Sequence, residues 1–127
     1  MEAVTTVLLE SNFPEGKGQI PHVSLESAIL QYVPTCFKAL DDLGVRPPVL
    51  VLMTCIGVRG LRMAMGPASF DRGNEIRDVN LAIPGAVVEH FSAPISAVLK
   101  PMFDRIWNAC GLLKSQNFDD QGNWIGR

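Results

Sequence analysis

The sequence has few of the residues from which metal sites and disulfide frameworks are built. Its 127 residues include two histidines and three cysteines, Cys36, Cys55 and Cys110, in unrelated contexts. A structural zinc site needs closely spaced Cys or His pairs, and no C-x-x-C or H-x-x-x-H pattern is present, so the sequence predicts neither a metal nor a cofactor. An odd, scattered set of cysteines also argues against disulfides and favours a reducing, cytoplasmic compartment.

Charged residues and long apolar runs are also scarce. Charged residues make up 19% of the chain, and 11 basic against 13 acidic residues give a formal net charge of −2, which provides no case for nucleic acid from composition. The longest apolar run, residues 49–58, is interrupted by Thr54 and Gly57 and is far shorter than the roughly 20 residues of a membrane span. The first residues do not resemble a signal peptide. No membrane partner is predicted.

Apolar residues, in contrast, are plentiful at 47% of the chain. This content excludes global disorder and is ample for one hydrophobic core. The length predicts a single domain over residues 1–127, with residues 112–127 as a polar C-terminal tail. Large apolar residues such as Met102 and Trp107 are numerous for a small domain. They either fill the core or form a surface for another copy or another domain.

Two segments show the three- and four-residue apolar spacing of a helix with one buried face. The first is predicted to begin at an N-cap, Ser24, and to end before Gly44. The second is predicted to begin at Ser92 and to end before Gly111. Each contains a proline at which the helix either kinks or restarts, and the uninterrupted apolar stripe across Pro34 favours a kink.

Strands are predicted before and between these helices. Residues 4–9 form a first strand, and residues 49–56, continuously apolar and rich in valine, form a central strand buried on both faces. Residues 57–65 are a bulged continuation or the return strand of a hairpin, and residues 78–83 are a further strand before a turn at Pro84-Gly85. The order predicts an α+β two-layer domain with a mixed sheet of about four or five strands and two main helices on one face.

Four arginines are the candidates for contact with nucleic acid or another anion: Arg59, Arg62, Arg72 and Arg77. If residues 57–65 form a regular strand, Arg59 and Arg62 project to opposite faces, because side chains alternate and these two are three residues apart. They then form one patch only if a bulge intervenes. The alternative is that these charges discourage aggregation at a sheet edge.

Acidic residues provide a second set of candidates. Asp71, Glu75 and Asp78 cluster in one predicted loop segment, and Glu89-His90 is an adjacent acid–imidazole pair. Such groups act as general acid and base when they converge in a pocket, whereas alternating charges in a loop are typical of a solvated surface. The sequence has no G-x-S-x-G nucleophile pattern, and the cysteines fall on predicted apolar faces. No catalytic residue is therefore assigned.

Four segments that span most of residues 20–124 read IPHVSLESAIL, LGVRPPVLVLMTCIGVRGLRM, IRDVNLAIPGAVVEHF and LKPMFDRIWNACGLLKSQNFDDQGNW. They resemble the C-terminal region of bacterial DNA-binding proteins of the AlbA/Schlafen-like type, in which DNA binding is ascribed to a separate N-terminal domain. The resemblance implies a bacterial accessory domain, either excised or stand-alone. It assigns no role to the matching positions, which are Arg59, Arg62, Arg77, Asp78, Glu89, Trp107, Asn108, Asn117 and Trp124.

Three functions are open at this point. The first is a non-catalytic interaction domain that self-associates or joins another domain, favoured by the surplus of apolar residues and by the resemblance. The second is a nucleic-acid-binding domain that uses the four arginines. The third is a small enzyme with an acid/base site within residues 71–90.

Overall fold

The computed structural model describes residues 18–67 and 69–126. In chain order the elements are β1 (Gln19–Ile20), α1 (His22–Asp42), β2 (Val49–Ile56), β3 (Arg62–Met63), β4 (Asn80–Val88) and α2 (Ile95–Ala109). Two helices combined with short strands confirm the predicted α+β class. The strand predicted at residues 4–9 lies outside the described residues.

The strands form two separate two-stranded sheets, where the sequence predicted one mixed sheet of four or five strands. β2 and β4 pair antiparallel, with Val49 opposite Val88 and Ile56 opposite Asn80. We call this pair the ribbon. β1 and β3 pair parallel over two residues each. Within the described residues, neither sheet is wider than two strands.

The segment that follows β2 neither continues that strand nor returns beside it. Gly57 and Gly60 have φ of 69° and 85°, a left-handed conformation that glycine adopts at no steric cost and that turns the chain. Only Arg62 and Met63 then form a strand, and they pair with β1. Both alternatives predicted for residues 57–65 are therefore wrong.

The turn predicted at Pro84-Gly85 is also wrong, because both residues lie within β4. Val51 faces Ala86 and Met53 faces Ile83, so two residues of β4 oppose one residue of β2. This two-against-one arrangement is a β-bulge, which tolerates a proline because the ladder of hydrogen bonds is already interrupted there.

The helices occupy the predicted regions but begin elsewhere. Pro21 and Pro94 are the N-cap residues, and neither helix start has a side-chain capping hydrogen bond. Ser24 lies inside α1 and Ser92 precedes α2, so the predicted serine caps are wrong. Both helices continue through their internal prolines as single elements.

The core is built around α2, which packs against both β4 and α1. Phe103 and Leu99 are fully buried, and Trp107 is 1% exposed. Leu81, Ile83 and Val88 contribute the inner face of the ribbon. Among the described residues, no helix has both the length and the apolar character needed to cross a bilayer.

Candidate functional site

A buried carboxylate, Glu26, connects α1 to the C-terminal segment. Its Oε1 accepts hydrogen bonds from Trp107 Nε1 at 3.0 Å and from Ser115 Oγ at 2.7 Å. Its Oε2 accepts from Asn117 Nδ2 at 2.7 Å and from Trp124 Nε1 at 2.9 Å. We call these five residues the Glu26 cluster. Glu26 is 1% exposed, and these four hydrogen bonds replace those that its carboxylate would otherwise make with water.

His22 extends the cluster to the loop after β3. Its Nε2 lies 3.1 Å from the carbonyl oxygen of Ala64, which can only accept, so Nε2 carries the hydrogen. Its Nδ1 then accepts from Asn117 Nδ2 at 2.9 Å. The Asn117 amide thus donates both of its hydrogens, one to His22 and one to Glu26. This network fixes the orientations of both side chains.

A tight turn brings Trp124 back to Glu26. The N–H of Ile125 donates to the Asn117 carbonyl at 2.6 Å, and the N–H of Asp119 donates to the Asn123 carbonyl at 2.9 Å. Hydrogen bonds from backbone N–H groups, that of Asn123 above all, lower the pKa of the Asp119 carboxyl. The predicted polar tail is therefore a packed segment in which Ser115, Asn117 and Phe118 are buried.

The sequence contains one signal for this cluster. Glu26 lies between Leu25 and Ile29 on the apolar stripe of α1, where a charged residue is costly unless it has partners. We interpret the cluster as structural, because every carboxylate oxygen is already hydrogen-bonded and no buried side-chain N or O among the described residues lacks a partner.

Three of the four candidate arginines line one open depression of about 500 Å³, which we call the arginine depression. Its lining residues come from two segments, within residues 59–62 and 74–77. These segments are joined by backbone hydrogen bonds from Gly60 N to the Ile76 carbonyl at 2.8 Å and from Ile76 N to the Leu61 carbonyl at 2.9 Å. The lining charges are those of Arg59, Arg62, Arg77 and Glu75.

Arg59 and Arg62 therefore share one surface. The opposite-face geometry expected for a regular strand does not occur, because the turn at Gly60 lies between the two residues. Arg72 is not part of the lining, and its Nη2 lies 3.4 Å from the Pro67 carbonyl oxygen. The structure thus brings together three of the four predicted arginines.

The acid/base candidates do not share a pocket. Glu75 lines the arginine depression, whereas Glu89 and His90 line a second depression of about 410 Å³. The Asp71 carboxylate accepts a hydrogen bond from the Gly73 N–H at 3.0 Å, and Asp78 is exposed. No group of three or more His, Cys, Asp or Glu residues in the described ranges is arranged to hold a metal ion.

The cysteines differ in their exposure. Cys110 is fully buried, and Cys36 and Cys55 are partly buried. Burial raises the pKa of the Cys110 thiol to about 11 and also raises that of Cys55. These environments disfavour the thiolate that a nucleophilic cysteine needs.

We expect Cys110 to resist alkylation in the folded protein at pH 8. A thiol with a pKa of about 11 instead of 9.0 has about a hundredfold less thiolate at this pH. Iodoacetamide labelling followed by mass spectrometry, with and without denaturant, measures the protection, and Cys36 serves as the internal reference. Equal labelling of Cys36 and Cys110 without denaturant would contradict the prediction.

The outer face of the ribbon is apolar and open. Leu50, Leu52, Ile56 and Val87 are 59%, 72%, 79% and 58% exposed. The strand predicted to be buried on both faces is therefore covered on one face only. A Cβ placed on Gly85 would lie 3.0 Å from the terminal methyl groups of both Leu50 and Leu52, so these two leucines lie over the bulge. We call this surface the open face.

No protein-family model matches this chain, and no curated protein or solved structure shows significant similarity to it.

Proposed function

We propose that the protein is a non-catalytic interaction domain that self-associates through the open face of the ribbon. The observation that carries this proposal is the mismatch between the sequence of β2 and its burial. A strand that is apolar at nearly every position is typical of strands covered on both sides. Here the even-numbered positions of β2 are exposed, among them Leu52 at 72%.

The composition of the open face supports a second copy of this chain as its occupant. The outward residues of the ribbon contain no charged side chain: Leu50, Leu52, Thr54, Ile56, Asn80, Ala82, Pro84 and Val87. Two such faces can meet about a twofold axis without desolvating a charge, and a self-complementary patch of this kind is what a symmetric dimer requires.

The size of the open face also fits this occupant. The exposed parts of its four large side chains amount to an area on the order of 500 Å², enough for the apolar centre of an interface but not for a whole one. A standard interface buries about 800 Å² on each partner, with an apolar centre and a polar rim. Thr54 and Asn80, at one end of the ribbon, provide part of such a rim.

Light scattering coupled to size-exclusion chromatography tests the proposal with a matched pair of lysine variants. We expect a dimer for the unmodified chain and a monomer for Leu52→Lys, because each copy would bury an ammonium group in the apolar interface, which weakens association about a hundredfold or more. Leu43→Lys is the control, since Leu43 is similarly exposed at 64% but follows α1. It should remain a dimer.

Three results would count against self-association. One is an unmodified chain that stays monomeric at all accessible concentrations. Another is dissociation of both variants to the same extent. The third is a large loss of thermal stability in Leu52→Lys relative to the unmodified chain at a dilution where both are monomeric, which would show that the chain itself covers the face.

A further inference from the structure

We propose that the arginine depression is a binding site for a compact anion that carries phosphate groups, such as a diphosphate. This site is separate from the open face. The chain has a net charge of −2 and 11 basic residues in total, yet three guanidinium groups and one carboxylate line this single concavity. The local excess of positive charge is opposite in sign to the charge of the whole chain and would attract an anion.

The backbone positions one of these arginines. Arg59 Nε donates to the Arg77 carbonyl oxygen at 3.0 Å, which holds the Arg59 side chain along the opposite wall of the depression. Ile76, which lies between Glu75 and Arg77 in the sequence, is 2% exposed and anchors that wall to the core. The guanidinium of Arg59 is therefore oriented before any ligand arrives, which reduces the entropic cost of binding.

The third arginine is held by a contact that an anion can replace. Arg62 Nη2 lies 3.5 Å from Glu75 Oε1, and both side chains are half exposed, at 50% and 52%. An exposed pair at this distance contributes little to stability. A phosphate group accepts two parallel hydrogen bonds from a guanidinium, so it competes well with Glu75 for Arg62.

The dimensions favour a small ligand over a nucleic-acid strand. The depression, of about 500 Å³, is open to solvent and its lining comes from only two short segments, within residues 59–62 and 74–77. A polyanion would need basic residues along an extended path, whereas Arg72 lies outside the depression. The arrangement of charges therefore favours a compact ligand, whose phosphate groups are close together, over an extended strand.

Isothermal titration calorimetry with pyrophosphate, at low salt, tests this site. We expect saturable binding of one pyrophosphate per chain that weakens as salt is added. Arg59→Ala and Arg77→Ala should each weaken binding about tenfold, because each removes charge-assisted hydrogen bonds to the ligand. Glu75→Gln should strengthen binding severalfold by removing the competing carboxylate.

Matched variants separate this site from other surfaces. Arg72→Ala removes the same charge from outside the depression and should leave pyrophosphate binding unchanged. Leu52→Lys should also leave it unchanged, whatever the oligomeric state. All five positions have exposed side chains, so circular dichroism should show the same fold for every variant.

Two outcomes would overturn the proposal. One is the absence of saturable pyrophosphate binding, or binding that Arg59→Ala and Arg77→Ala do not weaken. The other is binding of single-stranded or duplex DNA with no binding of pyrophosphate, reduced as much by Arg72→Ala as by Arg59→Ala. That result would favour nucleic-acid contact over an arginine surface wider than the depression.

Discussion

Replacing Glu26 with alanine should lower the free energy of unfolding by roughly 3–5 kcal/mol, because it leaves three buried donors and one partly buried donor without their acceptor. Small domains are stable by only about 5–15 kcal/mol, so this single change removes a large part of the total. The affected donors are the side chains of Trp107, Ser115, Asn117 and Trp124.

The conservative variant Glu26→Gln provides a sharper test, because it keeps the volume of the side chain. Each carboxylate oxygen accepts from one indole N–H, that of Trp107 or that of Trp124. A glutamine has only one oxygen, so in either orientation its NH₂ group faces an indole N–H, which cannot rotate to accept. We expect a loss of about 2–3 kcal/mol.

Urea unfolding followed by tryptophan fluorescence measures both changes. The chain has two tryptophans, and both bond to Glu26, so the signal reports on the cluster itself. Glu89→Gln is the control: Glu89 is exposed, and its variant should match the unmodified protein within about 0.5 kcal/mol. Equal stability of Glu26→Gln and Glu89→Gln would contradict the structural role assigned to the cluster.

The sequence predicts the parts of this fold that depend on neighbouring residues. Three- and four-residue apolar spacing located both helices, and Gly44 and Gly111 follow their C-caps as predicted. The predicted helix starts were wrong because a serine near the start of a helix does not always cap it. In both helices the N-cap is a proline with no side-chain hydrogen bond.

The missed features depend on contacts between distant residues. Glu26 bonds to side chains 81 to 98 positions away, and spacing within α1 reveals only that Glu26 needs partners. The strand at residues 49–56 was predicted with its observed bounds, but its exposed face was missed for a related reason. The sequence shows that both faces of β2 are apolar. The packing position of α2 determines which of these faces is covered.

For the arginine depression, the sequence identified candidate residues but not how they are placed relative to one another. Three of the four arginines that were candidates for anion contact line the depression, but alternation along a strand placed Arg59 and Arg62 on opposite faces. The φ of 85° at Gly60 reverses that conclusion. A glycine between two charged residues is thus a visible signal that strand alternation need not hold there.

Replacing Gly73 with alanine should destabilise the protein by about 2–4 kcal/mol, for two reasons that add. Its φ of 66° lies in the left-handed region, which costs an L-residue roughly 1–2 kcal/mol. An added Cβ would also clash with the Cys110 carbonyl oxygen and lie 3.0 Å from Leu112 Cγ. That carbonyl cannot yield easily, since it accepts a 2.6 Å hydrogen bond from Asn74 N.

Gly44→Ala separates the two contributions, because Gly44 has a similar φ of 82° and no atom within 4 Å of its added Cβ. Urea unfolding should show a loss of about 1–2 kcal/mol for Gly44→Ala and a clearly larger one for Gly73→Ala. Gly73 directly precedes the wall of the arginine depression at residues 74–77. Gly73→Ala should therefore also weaken pyrophosphate binding, which Gly44→Ala should leave intact. Equal losses of stability in the two variants would mean that the end of α2 does not fix this wall.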